Sequence, residues 1–363
     1  MPSRQLLGHV AETLCFAVAG GLTFGLIGVP AGYLSGSIVV VAAASLAGRP
    51  MTIPTPLMRT IFVFIGISLG AVVTPATLHG MATYPLSIAV LIVAMSIVGV
   101  VGGSYLRAVH GLDKDTAYLA AAPGGLSQVM AIAAEIGADL RAIAIVQTMR
   151  VVIVAVGLPA GLALFGLVRG ATRGVGGPFN PDQLGELAIL VVASTVVAII
   201  AHRIKFPGGL LFGAMVTSAA LHGSGLVHVV MPWWAANTAM LALGAVTGSR
   251  FANTPLRLLL KFIAAAFGSF AVAVAIASVF AFGLISVVPL HIAEVMIAFA
   301  PGSVDAMMLL ALALHLDPVY VGAHHLTRIF MVSMAMPLLA RRSARKRKPI
   351  HELPPQQRPI VEE

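Results

Sequence analysis

Charged residues are scarce in this sequence, and their scarcity excludes a water-soluble fold. Asp, Glu, Lys and Arg make up 10% of the 363 residues, whereas hydrophobic residues make up 59%. Soluble globular domains carry roughly 25% charged residues, because they must face water over their whole surface. Four stretches contain none of these charged residues, and each exceeds the ~20 residues that cross a bilayer as a helix: Thr13 to Gly48, Thr60 to Leu106, Phe206 to Ser249 and Phe262 to Ala293.

Cysteine and clustered histidine are nearly absent as well. Cys15 is the only cysteine, so no intramolecular disulfide can form, and the redox compartment stays open. A copper enzyme needs clustered imidazoles, but the eleven histidines are scattered and only His324 and His325 are adjacent. No Walker motif is present, which argues against ATP-driven pumping by this chain alone. We therefore expect no enzyme activity, no cofactor and no metal site.

The long apolar stretches predict an all-α integral membrane protein. They are broken where helices end, at Val29-Pro30, between Thr74 and Pro85, and around His222 to Pro232. A transmembrane barrel would instead show alternating segments of about ten residues and a polar lumen. We therefore expect helical hairpins joined by short turns.

Basic residues lie mostly at the ends of these segments, and a basic tail follows them. The net charge is +9, and the tail runs Arg-Arg-Ser-Ala-Arg-Lys-Arg-Lys over residues 341–348. The tail is typical of a cytoplasmic flank, with an anionic-lipid or nucleic-acid patch as the alternative, although no soluble nucleic-acid-binding domain accompanies it. Arg4 precedes an apolar stretch that is long enough for a retained first helix, with a cleaved signal peptide as the alternative.

The chain contains an internal repeat. An offset of 178 residues aligns Ala122-Pro123-Gly124 with Ala300-Pro301-Gly302, and the match continues without a gap. Further matching pairs at this offset are Met130 and Met308, Asp139 and Asp317, Arg150 and Arg328, and Pro159 and Pro337. Two copies of one unit explain this better than chance does. We therefore divide the chain into a first membrane repeat (1–168), a Gly- and Pro-rich loop (169–181), a second membrane repeat (182–340) and a cytoplasmic tail (341–363).

Basic residues favour one of two topologies. Twelve crossing helices would place four of them on the wrong side of the membrane: Arg203, Lys205, Arg250 and Arg257. If the two Ala-Pro-Gly segments, near 116–136 and 291–315, instead enter and return, each half has five crossings and only Arg169 and Arg173 are misplaced. An odd number inverts the second half, so the fold has 10–12 membrane segments arranged as two inverted repeats, each with a broken, re-entrant helix.

The repeated motif resembles the AbrB-type membrane protein family. The motif reads Ala-Ala-Pro-Gly-Gly-Leu-Ser-Gln-Val-Met at 121–130 and Phe-Ala-Pro-Gly-Ser-Val-Asp-Ala-Met-Met at 299–308, and in each copy an Asp and an Arg eleven residues apart follow. The resemblance covers nearly the whole chain. It implies a bacterial inner-membrane location but no settled activity, since members are labelled as regulators or as an ammonia monooxygenase. The second copy departs from the first at Ser303, Ala306 and His325.

The Pro-Gly motifs predict a polar site inside the membrane. Pro and Gly interrupt a helix and free backbone groups, which are tolerated at membrane depth only inside protein or beside water. A half-helix that begins there favours an anion at its positive end. The alternative is an ordinary turn between packed helices. The predicted substrate-binding residues are Pro123, Gly124, Gly125, Gln128, Gln147, Arg150, Pro301, Gly302, Ser303, Asp305, His325 and Arg328.

The two arginines at mid-membrane are the main candidates for anion binding. Arg150 lies eleven residues after Asp139, which is about 16 Å along a helix. Gln147 and His325 precede Arg150 and Arg328 by one turn and lie on the same face. Buried charges of this kind mark a site by default. The alternative is that each arginine binds backbone carbonyls or a carboxylate and fixes a helix end.

Three carboxylates are candidates for ion coupling. Glu135, Glu294 and Asp305 lie in or next to the Pro-Gly segments. A carboxylate in a low-dielectric environment titrates near neutrality and can carry a proton. For Glu135 the alternative is an exposed position in the headgroup region.

These features predict a secondary transporter of a small anionic solute that works by alternating access. The alternatives are a membrane-bound regulatory protein that senses a ligand and affects gene expression, and, third, a metal-dependent enzyme. The expected partners are the lipid bilayer, the anionic solute and other copies of the chain in a homo-oligomer, with no nucleic acid.

The inverted topology makes a prediction about accessibility. The segment 169–181 should lie outside and both termini inside. Thr172→Cys and Ser343→Cys should therefore be labelled by impermeant thiol reagents from opposite sides of the membrane. Labelling of both positions from one side would contradict the inverted arrangement.

Overall fold

The fold is all-helical in a computed structural model that describes residues 4–72, 84–168, 176–178, 180–252 and 254–346, without the side chains of 127, 128 and 335–346. The helices of the first half are α1 (Arg4–Leu26), α2 (Gly32–Leu46), α3 (Thr55–Gly70), α4 (Tyr84–His110), α5 (Lys114–Ala121), α6 (Leu126–Ile136) and α7 (Leu140–Leu164). Those of the second half are α8 (Leu184–Arg203), α9 (Gly209–Gly223), α10 (Trp233–Gly248), α11 (Leu256–Ile285), α12 (Ile292–Phe299), α13 (Val304–Ala313) and α14 (Pro318–Lys346).

Within the described residues, five helical segments are long and apolar enough to cross a membrane. They comprise α1, α4, α7, α11 and α8 with the turn before it, and they hold 23 to 30 residues each. The sequence prediction of five crossings per half also counted α14. It further counted four helices that have only 15 or 16 residues, α2, α3, α9 and α10. Such helices span about 22–24 Å, less than the ~30 Å of a bilayer core. Left-handed backbone at Ala31 and Gly48 bounds α2 on both sides and keeps it short.

The two Pro-Gly segments fold back on themselves. In the first half, the amide of Asp139 donates to the hydroxyl oxygen of Thr116 at 2.9 Å, which joins the end of the segment to its beginning. In the second half, the amide of Asp317 donates to the carboxylate of Glu294 at 3.1 Å. Each pair of short helices is therefore a hairpin, with its Pro-Gly motif at the tip.

Equivalent features recur along the chain at the spacing that aligns the sequence. Helices α5, α6 and α7 begin at residues 114, 126 and 140, and α12, α13 and α14 begin at 292, 304 and 318, which is 178 residues later in each case. Left-handed residues recur at an offset of 177 or 178: Gly28 and Lys205, Ala31 and Gly208, Gly48 and Gly225, and Gly137 and His315. Three of these left-handed positions hold residues other than glycine, so the turns recur even where the sequence has changed.

The two halves interlock through glycines on their third helices. A side chain at Gly66 of α3 would lie 2.3 Å from the carbonyl oxygen of Leu211 on α9. A side chain at Gly244 of α10 would lie 2.4 Å from Ser37 on α2. Helix α3 therefore packs against the second helix of the other half, and α10 does the same in return, at distances that only glycine permits.

The interlocked packing predicts opposite effects for one substitution at two sites. Gly66→Ala should destabilise the fold by about 1–3 kcal/mol, because the new methyl group collides with the α9 backbone. Gly157→Ala on α7 meets nothing within 4 Å and should raise stability by about 0.5–1 kcal/mol through helix propensity. Thermal unfolding of both purified variants checks this. Equal shifts in the same direction would contradict the packing.

Candidate functional site

Arg150 on α7 binds the tip of the first hairpin. Its side chain is 5% exposed. One terminal nitrogen donates to the carbonyl oxygen of Ala121 at 3.3 Å, and the other donates to the carbonyl oxygen of Ala122 at 3.1 Å. These carbonyls lie at the C-terminal end of α5, just before Pro123. The guanidinium therefore caps the end of a helix that Pro123 and Gly124 break.

Arg328 on α14 does the same for the second hairpin. It is 4% exposed and donates to the carbonyl oxygen of Ala300 at 2.7 Å and to that of Gly302. It also donates to Nδ1 of His325, 2.6 Å away. The two arginines thus occupy equivalent positions, but among the described side chains only that of His325 pairs with one of them, Arg328.

Gln147 and His325 each lie one helical turn before the arginine of their own helix and contact the same hairpin as that arginine. Gln147 Nε2 donates to the carbonyl oxygen of Leu119 at 2.8 Å, and His325 Nε2 lies 3.1 Å from the carbonyl oxygen of Ile297. Nδ1 of His325 accepts from Arg328, so its Nε2 carries the proton and donates. The imidazole is therefore neutral and plays the part of the Gln147 amide.

The physical reason for these contacts is the set of carbonyls that a broken helix leaves unpaired. The last carbonyls of α5 and α12 have no helical partner, and the helix dipole makes that end negative. Buried carbonyls without donors cost about 1–3 kcal/mol each. A planar guanidinium satisfies two at once. These contacts agree with the alternative in which each arginine binds backbone carbonyls and fixes a helix end. Ligand binding by the two arginines stays a prediction.

Both guanidinium groups keep one unsatisfied nitrogen. The Nε atoms of Arg150 and Arg328 are buried and have no hydrogen-bond partner among the described residues. Neither arginine forms an ion pair in the part of the chain that the structure describes. The ion pair found there joins Arg49 and Glu12 on the surface. Arg150 lies near enough to Arg328 to repel it electrostatically. The two sites are therefore neighbours in space.

Each hairpin tip also contacts the last helix of the other half. A side chain at Gly124 would lie 2.6 Å from Val332 on α14. The residue on α7 that corresponds to Val332 at the repeat offset is Val154. One turn further along α7, Leu158 lines a cavity of about 30 Å³ together with Pro301, at the tip of the second hairpin. The other lining residues are Val274, Ala277, Ser278, Met296, Phe299 and Ala300. This apolar space has room for about one water molecule.

The other predicted site residues lie at varying distances from these tips. Ser303 and Asp305 are half-buried, and Ser303 Oγ and Asp305 Oδ2 are buried without a partner. Gly125 precedes α6, and the side chain of Gln128 lies outside the described residues. Glu135 lies on an exposed face of α6, as its alternative position required. Glu294 lies at the far end of its hairpin, beside Asp317.

The sequence analysis missed the group around Asp317. Its carboxylate accepts from the hydroxyl of Tyr84 on α4 at 3.3 Å, and Tyr84 packs edge-on against Tyr320 at 5.3 Å. Nearby, Ser87 lies 2.6 Å from Nε2 of the buried His324. The repeated Asp was the available signal, since Asp139 and Asp317 both cap the helix that follows.

Comparison with known proteins agrees with the repeated motif. The profile of the family described as "Transition state regulatory protein AbrB" matches residues 33–344 of this chain. The chain belongs to the AbrB family.

Two bacterial relatives extend over nearly the same length. The chain is similar to "Uncharacterized protein YhjN" of Bacillus subtilis (strain 168), 24% identical over 346 residues that cover 89% of this chain and 90% of that protein. It is also similar to "Putative regulator AbrB" of Escherichia coli (strain K12), 24% identical over 330 residues, 88% of this chain and 92% of that protein. The AbrB resemblance inferred from the duplicated Pro-Gly motif is thereby confirmed.

The carbonyl contacts of this AbrB family member make a prediction about His325. Gln147 shows that an amide can hold a hairpin at this position, and a Gln side chain carries both a donor and an acceptor. His325→Gln should therefore leave thermal stability nearly unchanged. His325→Leu has a similar volume but cannot pair with Ile297 or Arg328, and should cost about 1–3 kcal/mol. Equal unfolding temperatures for the two variants would contradict the assigned contacts.

Proposed function

We propose that this protein is a secondary transporter of a small anionic solute in the bacterial inner membrane. The observation that carries the proposal is the pair of neighbouring, buried guanidinium groups with no acidic partner among the described residues. Buried charges without a counterion are costly, and ionisable groups at membrane depth generally mark a substrate path. A carboxylate or similar anion supplies the missing charge.

The unpaired atoms indicate how such an anion binds. The terminal nitrogens of Arg150 and Arg328 are engaged with carbonyls, and no described residue pairs with either Nε–H, which leaves it available to a ligand. Helices α6 and α13 begin at the same tips, so their positive ends face the same region. Ser303, with its unpartnered hydroxyl, adds a donor. These groups together favour a small anion over a neutral solute.

Transport requires the hairpin tips to move. The cavity beside Pro301 has a volume of about 30 Å³, so a solute larger than water enters only when the packing opens. Each tip packs against the last helix of the other half, at Gly124 with Val332 and at Pro301 with Leu158. Rocking of one half against the other would open one tip while closing its counterpart, which is alternating access.

The inverted-repeat arrangement is part of this proposal. The fold-back of both Pro-Gly segments leaves five other helices per half, an odd number that inverts the second half. The recurring left-handed turns and the reciprocal packing of α3 on α9 and of α10 on α2 support the duplication. The four short helices then cross only with local thinning of the bilayer or tilting of their neighbours.

A regulatory role is the second candidate, and the names of the family and of its relative in Escherichia coli favour it. A membrane-bound sensor would bind the same anion at the same tips without moving it across. Solute flux therefore separates the two functions. Metal-dependent oxidation is the third candidate, and bound copper or iron in the purified protein would support it.

Liposomes that contain the purified protein test transport directly. Radiolabelled acetate, lactate and succinate should enter them at least several-fold faster than they enter protein-free liposomes. Binding of these anions without flux would support the sensor instead.

Arg150→Lys tests the proposed ligand contacts. Lys retains the charge but loses Nε and the planar fork, so stabilisation of the protein by the bound anion should disappear while the apo protein still folds. Arg49→Lys is the matched control, because Arg49 lies on the surface in an ion pair with Glu12. Unchanged anion stabilisation in Arg150→Lys would place the site elsewhere.

A further inference from the structure

The Asp317 carboxylate accepts several hydrogen bonds, which offset in part the burial that raises its pKa. One of its carboxylate oxygens accepts from the amides of Val319 at 2.8 Å and Tyr320 at 3.3 Å, at the beginning of α14. The other oxygen accepts from the hydroxyl of Tyr84. Three donors and a helix N-terminus favour the ionised form.

Glu294 lies next to Asp317 and accepts fewer hydrogen bonds than Asp317 does. It is half-buried, and one of its oxygens accepts a single hydrogen bond, from the amide of Asp317 at 3.1 Å. In the described part of the chain it forms no ion pair with Lys or Arg. Two adjacent carboxylates cannot both ionise without repulsion, and the one with fewer donors takes the proton.

In the first half, a neutral side chain closes the hairpin at the position where the second half has Glu294. There the amide of Asp139 donates to Thr116, a neutral acceptor at the position equivalent to Glu294. Asp139 likewise caps its helix through the amides of Arg141 and Ala142. The hairpin therefore closes without a carboxylate at this position, so Glu294 is not needed for folding alone.

The tyrosines around Glu294 are also confined to the second site. Ala142 and Phe262 stand where the repeat offset would place the counterparts of Tyr320 and Tyr84. Tyr320 is 2% exposed, and its hydroxyl interacts with Ser87 and, electrostatically, with Glu294. The second site therefore surrounds its acid with tyrosine rings that the first site does not have.

We propose that Glu294 is a proton-binding site, formed with Asp317, Tyr84 and Tyr320, and that its proton is the coupling ion of the protein. The coupling role rests on the proposed transport, but proton binding does not. The oxygens of Asp317 are already engaged by three donors, which leaves too few free ligands for a metal cation and favours a proton.

Among the residues that the structure describes, two histidines are further titratable groups near the site. His291 precedes Glu294 by three residues on the exposed end of α12 and interacts with it electrostatically. His324 on α14 is fully buried, and its ring nitrogens lie 2.7 Å from the carbonyl oxygen of Tyr320 and 2.6 Å from Ser87. His324 is therefore already paired, while His291 faces water and needs its own control variant.

The proposal implies a pH dependence of stability. Burial raises the pKa of Glu294, which lies outside the five candidate membrane spans, and the neighbouring Asp317 carboxylate adds to the increase. The folded state then holds a proton that the unfolded chain releases above about pH 4.3. Stability should fall as the pH rises from that value to the folded-state pKa, and should then level off.

Infrared spectroscopy of the purified full-length protein tests proton binding without any transport assay. The wild type should still show the C=O band of a protonated carboxyl group at pH values above the ~4.3 at which an exposed Glu ionises, and the band should disappear as the pH rises further. Glu294→Gln and Glu294→Thr, which copies Thr116, should both fold, lack that band and show a smaller pH-dependent fall in unfolding temperature than the wild type, the remainder coming from Asp317, whose pKa burial also raises. His291→Gln should retain both features.

Several results would overturn the proposal. They are absence of the band in the wild type, its persistence in Glu294→Gln, or its loss at constant pH when Na⁺ is added, which would make the site a cation site. Failure of transport in liposomes with the band intact would instead overturn the proposed function and leave proton binding standing.

Discussion

The structure depends on how it satisfies the backbone carbonyls that two broken helices leave in an apolar interior. Pro123 and Pro301 end α5 and α12 inside the protein, where water is not available to pair their last carbonyls. Arg150 and Arg328 supply the donors from the middle of the following long helix. This solution places two buried guanidinium groups in the interior, and the proposed anion site rests on their charge.

The two halves share this solution but have diverged around it. Gln147 and His325 hold their hairpins by the same contact with different chemistry, and Thr116 and Glu294 close them in the same way. A neutral acceptor is sufficient for closure, so the acid in the second half is an addition to the shared scaffold. Asymmetry of this kind allows one half to respond to a proton while the other provides only structure.

The sequence predicted the architecture around the hairpins better than it predicted their contacts. Apolar runs, the Pro-Gly motifs and the repeat offset located the helices, and the burial of Arg150 agrees with its place in the middle of a long apolar helix. The sequence did not indicate how short α2 is, because left-handed backbone at Ala31, a non-glycine residue, has no clear signature in sequence. The sequence left open whether the arginines bind a ligand or backbone carbonyls, because the same spacing of residues is compatible with both. The group around Asp317 was missed because Tyr84 comes from the other half of the chain.

The central claim is that the Nε atoms of Arg150 and Arg328, which have no partner among the described residues, bind the anion. Crystals grown with 3-bromopropionate provide the most direct test, because bromine can be located by its anomalous scattering. The account predicts a bromine peak beside the hairpin tips, with the carboxylate within hydrogen-bond distance of Nε of Arg150 or Arg328. A bound anion elsewhere, with both Nε atoms still unpaired, would contradict it.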